Sequence, residues 1–235
     1  MQRIVVLNPK GGSGKTTVAI NLASHFAVHG EHPVLMDYDA QGSSSHWVRK
    51  RDEQQSHVYL ISVFEREARA TRTFELRFPE STRRVVVDTP AAVQAQEMPE
   101  LTRSADKILI PVLPSDIDIH ACSRCVQNLL LVAKVHRSEN RLGIIANRVR
   151  RNTLSSLALM RFLDTLGVPI VATLRDSQNY VRAAELGLGL EEMMPHQVAD
   201  DLEQWQPVFK WLDEPTTRHR PGSSRDLKAS NSLRA

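Results

Sequence analysis

The stretch Pro9–Thr17 (PKGGSGKTT) sits between an apolar run, Ile4–Asn8 (IVVLN), and a segment with apolar residues at helical spacing, Val18, Leu22 and Phe26. Few features restrict a fold more. Gly11, Gly12 and Gly14 let backbone N–H groups turn inward without Cβ clashes, and a following helix adds its N-terminal dipole, so a strand, loop and helix in this order make an anion site. In the common form G-x-x-x-x-G-K-[ST], Lys15 reaches the β- and γ-phosphates of a nucleotide and the Thr16 hydroxyl ligates Mg²⁺. The chain departs from that form in one place. Pro9 stands where the first glycine belongs, and Lys10 follows it.

The rest of the chain repeats the strand and helix alternation. PVLMD (Pro33–Asp37), RVVVD (Arg84–Asp88), KILIPV (Lys107–Val112), LGIIAN (Leu142–Asn147) and PIVAT (Pro169–Thr173) read as buried strands, with helical stretches over Thr16–Val28, Ile119–Arg137 and Thr153–Leu166. Continuous β-branched strands separated by helices predict a three-layer α/β/α sandwich around a mostly parallel sheet of about seven or eight strands. The charged segment between Arg49 and Arg83 is placed only loosely. After Asp213 the composition shifts to Pro, Thr, Arg, Ser and Gly, so the expected organisation is one domain over residues 1–213 and a disordered basic tail over 214–235.

The octet Lys10–Thr17 matches K-G-G-x-G-K-[ST]-[ST], the deviant Walker A loop. On this motif and those below, residues 1–213 resemble the ParA/MinD superfamily of dimerising P-loop ATPases, most of all the small plasmid-type partition ATPases. The resemblance implies that Lys10 reaches the nucleotide of a partner subunit and stabilises phosphate charge in trans, as an arginine finger does. It implies ATP and Mg²⁺ as cofactors and a homodimer that forms on ATP binding. The nucleotide is held by Lys10, Gly11, Gly12, Ser13, Gly14, Lys15, Thr16 and Thr17. Asp37-Tyr38-Asp39-Ala40-Gln41-Gly42 resembles the family's D-x-D-P-Q-G segment, with Ala40 where Pro is usual. Period 2 would point both aspartates the same way, Asp39 orienting the attacking water and Asp37 near Mg²⁺ or its waters. Asp88, ending VVVD, fits the Walker B carboxylate that holds Mg²⁺ through water, and Ala91 replaces a second proline after Pro90. Pro111–Ser115 resembles a proline-rich turn close to the dimer face. Asn147 stands where the family reads adenine.

Three functions share this nucleotide chemistry. Members that bind DNA without sequence specificity use basic residues late in the chain, and Arg148, Arg150, Arg151, Arg175 and Arg182 are the candidates here. A ParB-like or other adaptor would stimulate their hydrolysis. Members that cycle on membranes end in an amphipathic helix. The tail PTTRHRPGSSRDLKASNSLRA cannot make one, with two prolines, a glycine, no aromatic residue and only two leucines. Iron–sulfur carriers use C-x-x-C pairs, but Cys122 and Cys125 fall inside an apolar helical pattern and read as small packing residues. The nine histidines show no metal-ligand spacing, and Trp205 and Trp211 read as packing residues of a terminal helix.

Charge adds little to the choice. The net charge is +3, but the segment Pro215–Ala235 supplies five basic residues against one acid, leaving the preceding body at −1. No apolar run reaches 18 residues, no signal peptide is read at the start and two cysteines make no disulfide framework, so a reducing cytoplasm is the expected setting; the resemblance implies association with a prokaryotic nucleoid. The expected activity is a weak Mg²⁺-dependent ATPase that switches between a DNA-bound ATP dimer and a released form, positioning a plasmid, chromosome or other cargo.

Overall fold

The buried run Ile4–Leu7 forms the middle of the molecule, because its side chains alternate between two helical layers. Val5 and Leu7 join one apolar cluster, Ile4 and Val6 the other, and none of the four is exposed to solvent. The computed structural model describes residues 1–64 and 77–217. Among them are seven strands: β1 (Gln2–Val6), β2 (Val34–Asp37), β3 (Tyr59–Ser62), β4 (Arg84–Asp88), β5 (Lys107–Val112), β6 (Leu142–Val149) and β7 (Ile170–Arg175). They pair in parallel in the order β3-β2-β4-β1-β5-β6-β7. The helices are α1 (Lys15–Val28), α2 (Ser43–Lys50), α3 (Met98–Thr102), α4 (Asp116–Leu131), α5 (Leu154–Thr165), α6 (Asn179–Glu185) and α7 (Pro195–Asp213). The predicted α/β/α sandwich with a parallel sheet is the observed fold.

The order places β1 between β4 and β5, so the chain leaves β1 toward one edge of the sheet and later crosses to the other. Such a reversal opens a crevice beyond the carboxyl ends of the strands, and the glycine loop fills it. Register aligns the neighbouring ends: Val6 lies beside Asp88, and Asp37 beside Asp88. The layer holding Ile4 and Val6 is covered by α1 and α7, where Trp205 and Trp211 are buried as the sequence predicts. The opposite layer is covered by α4 and α5 and takes in Cys122 and Cys125, both fully buried.

One sequence expectation is corrected and two further segments gain detail. Ser115 caps α4 by accepting from the Asp118 N–H at 3.2 Å, so the helix begins at Asp116 and ends at Leu131 instead of running from Ile119 to Arg137. The loosely placed charged region holds β3 and the end of α2. Helix α2 buries Ser44, Ser45 and Trp47, so an apolar period had little to report. Past Asp213 the chain stays on the body: Thr217 donates from its N–H to the Glu139 carbonyl (3.2 Å) and from its hydroxyl to that of Ser138 (2.7 Å). The remainder of the basic tail, 218–235, lies outside the described residues.

Candidate functional site

The loop after β1 is shaped by backbone requirements that only glycine meets. Gly12 and Gly14 have φ of 76° and 95°, and a Cβ at Gly14 would collide with the Asn147 side-chain amide. Two contacts brace it from the neighbouring strand ends. Asn8 donates from Nδ2 to the Pro111 carbonyl at 2.7 Å and accepts the Lys10 N–H at 2.9 Å. Ala92 N–H, just past β4, donates to the Pro9 carbonyl at 2.7 Å. Pro9 therefore supplies an acceptor and a fixed φ where the common loop has glycine.

Lys15 is buried, and its Nζ donates to the Lys10 carbonyl at 3.2 Å. Burial holds its pKa below the usual lysine value, against the opposing charges of Asp88 and Asp39. Thr16 donates from Oγ1 to Asp88 Oδ2 at 2.8 Å, and Ser44 donates to the same oxygen. Burial raises Asp88 to about 6, with the nearby Asp37 charge adding to the rise and the Ser44 and Thr16 hydrogen bonds and the Lys15 charge opposing it. Ser13 Oγ is buried and has no hydrogen-bond partner among the described residues.

The two strand-end aspartates diverge, contrary to the period-2 expectation, because β2 stops at Asp37. Asp37 turns inward. Its Oδ2 accepts from the Ser45 N–H and hydroxyl at 2.8 and 2.7 Å, and its Oδ1 accepts from the Asp39 N–H at 3.0 Å. It thus caps the first turn of α2, whose preceding residue, Gly42, has no side chain to do so. Asp39 stays half-exposed and lines the cleft, with Oδ1 accepting from the Gln41 N–H at 2.9 Å.

The cleft encloses about 770 Å³, enough for a nucleotide-sized ligand. Gly11, Gly12, Gly14, Lys15, Thr16 and Thr17 form its floor, and Asp39 and α2 one wall. The other wall, not foreseen from sequence, is α6, with Tyr180 and Ala184 facing the cleft. Asn147 also lines it, yet its amide is engaged within the protein. Nδ2 donates to the Ser13 carbonyl at 3.0 Å and Oδ1 accepts the Arg148 N–H at 3.0 Å, which braces the loop and leaves one N–H and one lone pair toward the cleft.

The residues fit a magnesium-bound nucleoside triphosphate. Left-handed glycines open a backbone cradle, a buried hydroxyl of Ser13 lacks a partner among the described residues, and a lysine converges on the same space. Thr16 and Asp88 join a hydroxyl and a carboxylate of the hard-oxygen type that Mg²⁺ prefers. Among the described residues, Cys122 and Cys125 belong to no group of three or more possible metal ligands. Burial pushes Cys122 up to about 12 and Cys125 further still, so both stay thiols.

The five candidate arginines separate into three groups. Arg148 and Arg150 share the Asp176 carboxylate at 3.3 and 2.8 Å. Arg175 serves the body: it pairs with the fully buried Asp201 through Nε and with Asp200 at 2.9 Å. Arg151 and Arg182 are exposed and make no ion pair among the described residues.

Comparison with known proteins agrees with this geometry. The family model for the CobQ/CobB/MinD/ParA nucleotide binding domain matches residues 4–190. A maintenance of carboxysome distribution protein A from Gloeobacter kilaueensis is 31% identical over 216 residues, which is 89% of this chain and 93% of that protein. Among solved structures, apo McdA from Cyanothece superposes with a TM-score of 0.69 at 18% identity, covering 90% of this chain and 99% of that one. A variant of that protein is described in complex with ATP (TM-score 0.66, 17% identity, 90% and 95% covered). MinD in the MinC:MinD complex of Aquifex aeolicus gives 0.68 at 18% identity, covering 94% and 100%.

Proposed function

The chain belongs to the CobQ/CobB/MinD/ParA nucleotide-binding family, and from that premise we propose that it is an ATP-driven positioning switch that acts on DNA. The observation that carries the reading is the intact cleft in which Lys15, Thr16 and Asp88 converge beside a half-buried Lys10. Lys15 neutralises phosphate charge within the subunit. Lys10 projects from the loop and completes the partner's site, so that ATP sandwiches two copies. Asp39 orients the attacking water, Thr16 and Asp88 hold Mg²⁺, and Asn147 meets the base with its remaining N–H. The metal supplies charge neutralisation on the transferring phosphoryl group. Asp37 acts on Mg²⁺ indirectly, through its charge on Asp88 and its hold on α2.

The ATP dimer binds non-specific duplex DNA, and an adaptor that stimulates hydrolysis releases it. The γ-phosphate supplies the differential affinity that shifts the monomer–dimer population. The relative from Gloeobacter kilaueensis is named for carboxysome distribution, which favours a protein compartment as the cargo over the plasmid first expected. Phosphate neutralisation falls chiefly to Arg151 and Arg182, with Arg148 and Arg150 available once Asp176 lets go. Arg175 is withdrawn from the DNA face because Asp201 holds it.

Binding to random-sequence duplex DNA tests this reading, with ADP and with ATP, over a salt series. Tight, salt-sensitive binding with ATP alone, weakened in the Arg151→Ala/Arg182→Ala variant, is the expected result. Absence of DNA binding with either nucleotide, together with ATP-dependent capture by anionic liposomes, would transfer the reading to the membrane-cycling branch that MinD represents.

A further inference from the structure

His25 of α1 and His29, the residue that caps its C-terminal end, overturn the reading that no metal-ligand spacing exists among the nine. His25 and His29 are four residues apart, hence on one face of the helix, and their ring centroids lie 4.4 Å apart. Glu191, from the 3-10 turn Leu190–Glu192 that precedes α7, faces both. Its Oε1 is 2.8 Å from His25 Nδ1 and its Oε2 is 3.3 Å from His29 Nε2. One ligand atom from each residue falls within 4.8 Å of the others. Such a spacing was legible as H-x-x-x-H, but the carboxylate comes from 162 residues further along and only the fold delivers it.

We propose that His25, His29 and Glu191 form a binding site for a borderline divalent cation, Zn²⁺ foremost. Two imidazoles and one carboxylate are the donor set such ions take, with a water in the fourth position. Donors bonded at about 2.0–2.2 Å to one ion sit roughly 3–4 Å apart, and His29, 55% exposed, is the member free to rotate to that spacing. The other two are held. The His25 ring stacks on Phe209 at 3.5 Å. The turn bearing Glu191 is locked by its neighbour Glu192, which accepts from Arg51, from Ser24 Oγ at 2.7 Å and from the Gly189 N–H at 2.8 Å. Glu192 is thereby satisfied, whereas Glu191 Oε2 is buried and makes no hydrogen bond of acceptable geometry among the described residues.

This site is separate from the magnesium site. His25 lies ten residues along α1 from Lys15, about 15 Å away at the helical rise. An ion there would tie the C-terminal end of α1 to the segment joining α6 to α7, and α6 forms one wall of the nucleotide cleft. The proposal stands without the nucleotide reading.

The test uses the tag-free full chain, stripped by chelator and titrated with Zn²⁺ by calorimetry and with Co²⁺ by visible absorbance, without nucleotide. One ion per chain, Co²⁺ ligand-field bands, and no competition from excess Mg²⁺ are expected. His29→Ala, at an exposed position, should keep the metal-free unfolding midpoint and weaken Zn²⁺ by at least the roughly 10–100-fold that supporting-shell changes alone produce. Glu191→Gln should weaken it likewise. No Zn²⁺ uptake by the parent chain, or uptake undiminished in both variants, would overturn the site.

Discussion

Asp88 carries the largest electrostatic tension in the cleft, because its carboxyl is buried beside Asp37 with two hydroxyls as its hydrogen-bond donors. With a folded pKa of about 6, above its unfolded value, the metal-free chain binds its proton more tightly than the unfolded chain does. Its contribution to stability is therefore fully present at low pH and declines as pH rises from about 4 to about 6. Asp88→Asn should stabilise the metal-free protein at pH 7–8 by roughly 1–3 kcal/mol, measured by urea unfolding, while abolishing Mg²⁺-dependent turnover. Equal stability of the two proteins across this range would refute the buried-charge account. Mg²⁺ competes with the same proton, so its affinity should climb through about pH 6. Lys15→Ala should lower nucleotide affinity by about two orders of magnitude or more, given several kcal/mol of desolvated phosphate contact, as read by fluorescent-nucleotide binding.

At the scale of elements, the glycine loop, Lys15, Thr16 and Asp88 were legible because each is set by local geometry: a strand end, a turn needing positive φ, a helix start. The shared direction expected of Asp37 and Asp39 fails because period 2 holds only while the strand continues, and β2 ends at Asp37. Helix α2 and strand β3 were obscured for a related reason: α2 buries serines that serve carboxylates instead of an apolar stripe. The α6 wall carries no motif. It is held from behind by α7, where the buried Trp205 donates from Nε1 to the Tyr180 hydroxyl at 3.1 Å. Trp205→Ala should lower stability by about 3–5 kcal/mol and weaken nucleotide binding, with the unfolding midpoint falling at unchanged m-value. A stability loss without any change in nucleotide affinity would separate α7 from the cleft. Arg175→Ala should cost about 1–3 kcal/mol by removing the ion pair while Ser177 and Asn179 still donate to buried Asp201, whereas Arg151→Ala should be near neutral in the same assay.

At the scale of the molecule, the sheet order concentrates chemistry at one end: the loop after β1, the carboxylates after β2 and β4, and Asn147 and the arginines of β6 and the turn that follows it. The same edge presents exposed Ile117, Leu154 and Leu157 beside the starts of α4 and α5. Lys10 is half-buried in the single chain, and the proposed switch requires a second copy to give that lysine a phosphate to meet. No described helix is long and apolar enough to cross a membrane. The most direct measurement is the mass of the ATP·Mg²⁺ form in solution for Asp39→Ala and for Asp39→Ala/Lys10→Ala. With turnover blocked, the first should be a dimer and the second a monomer that still binds ATP. A dimer in both, or a monomer in both, would contradict the trans-acting lysine on which the switch depends.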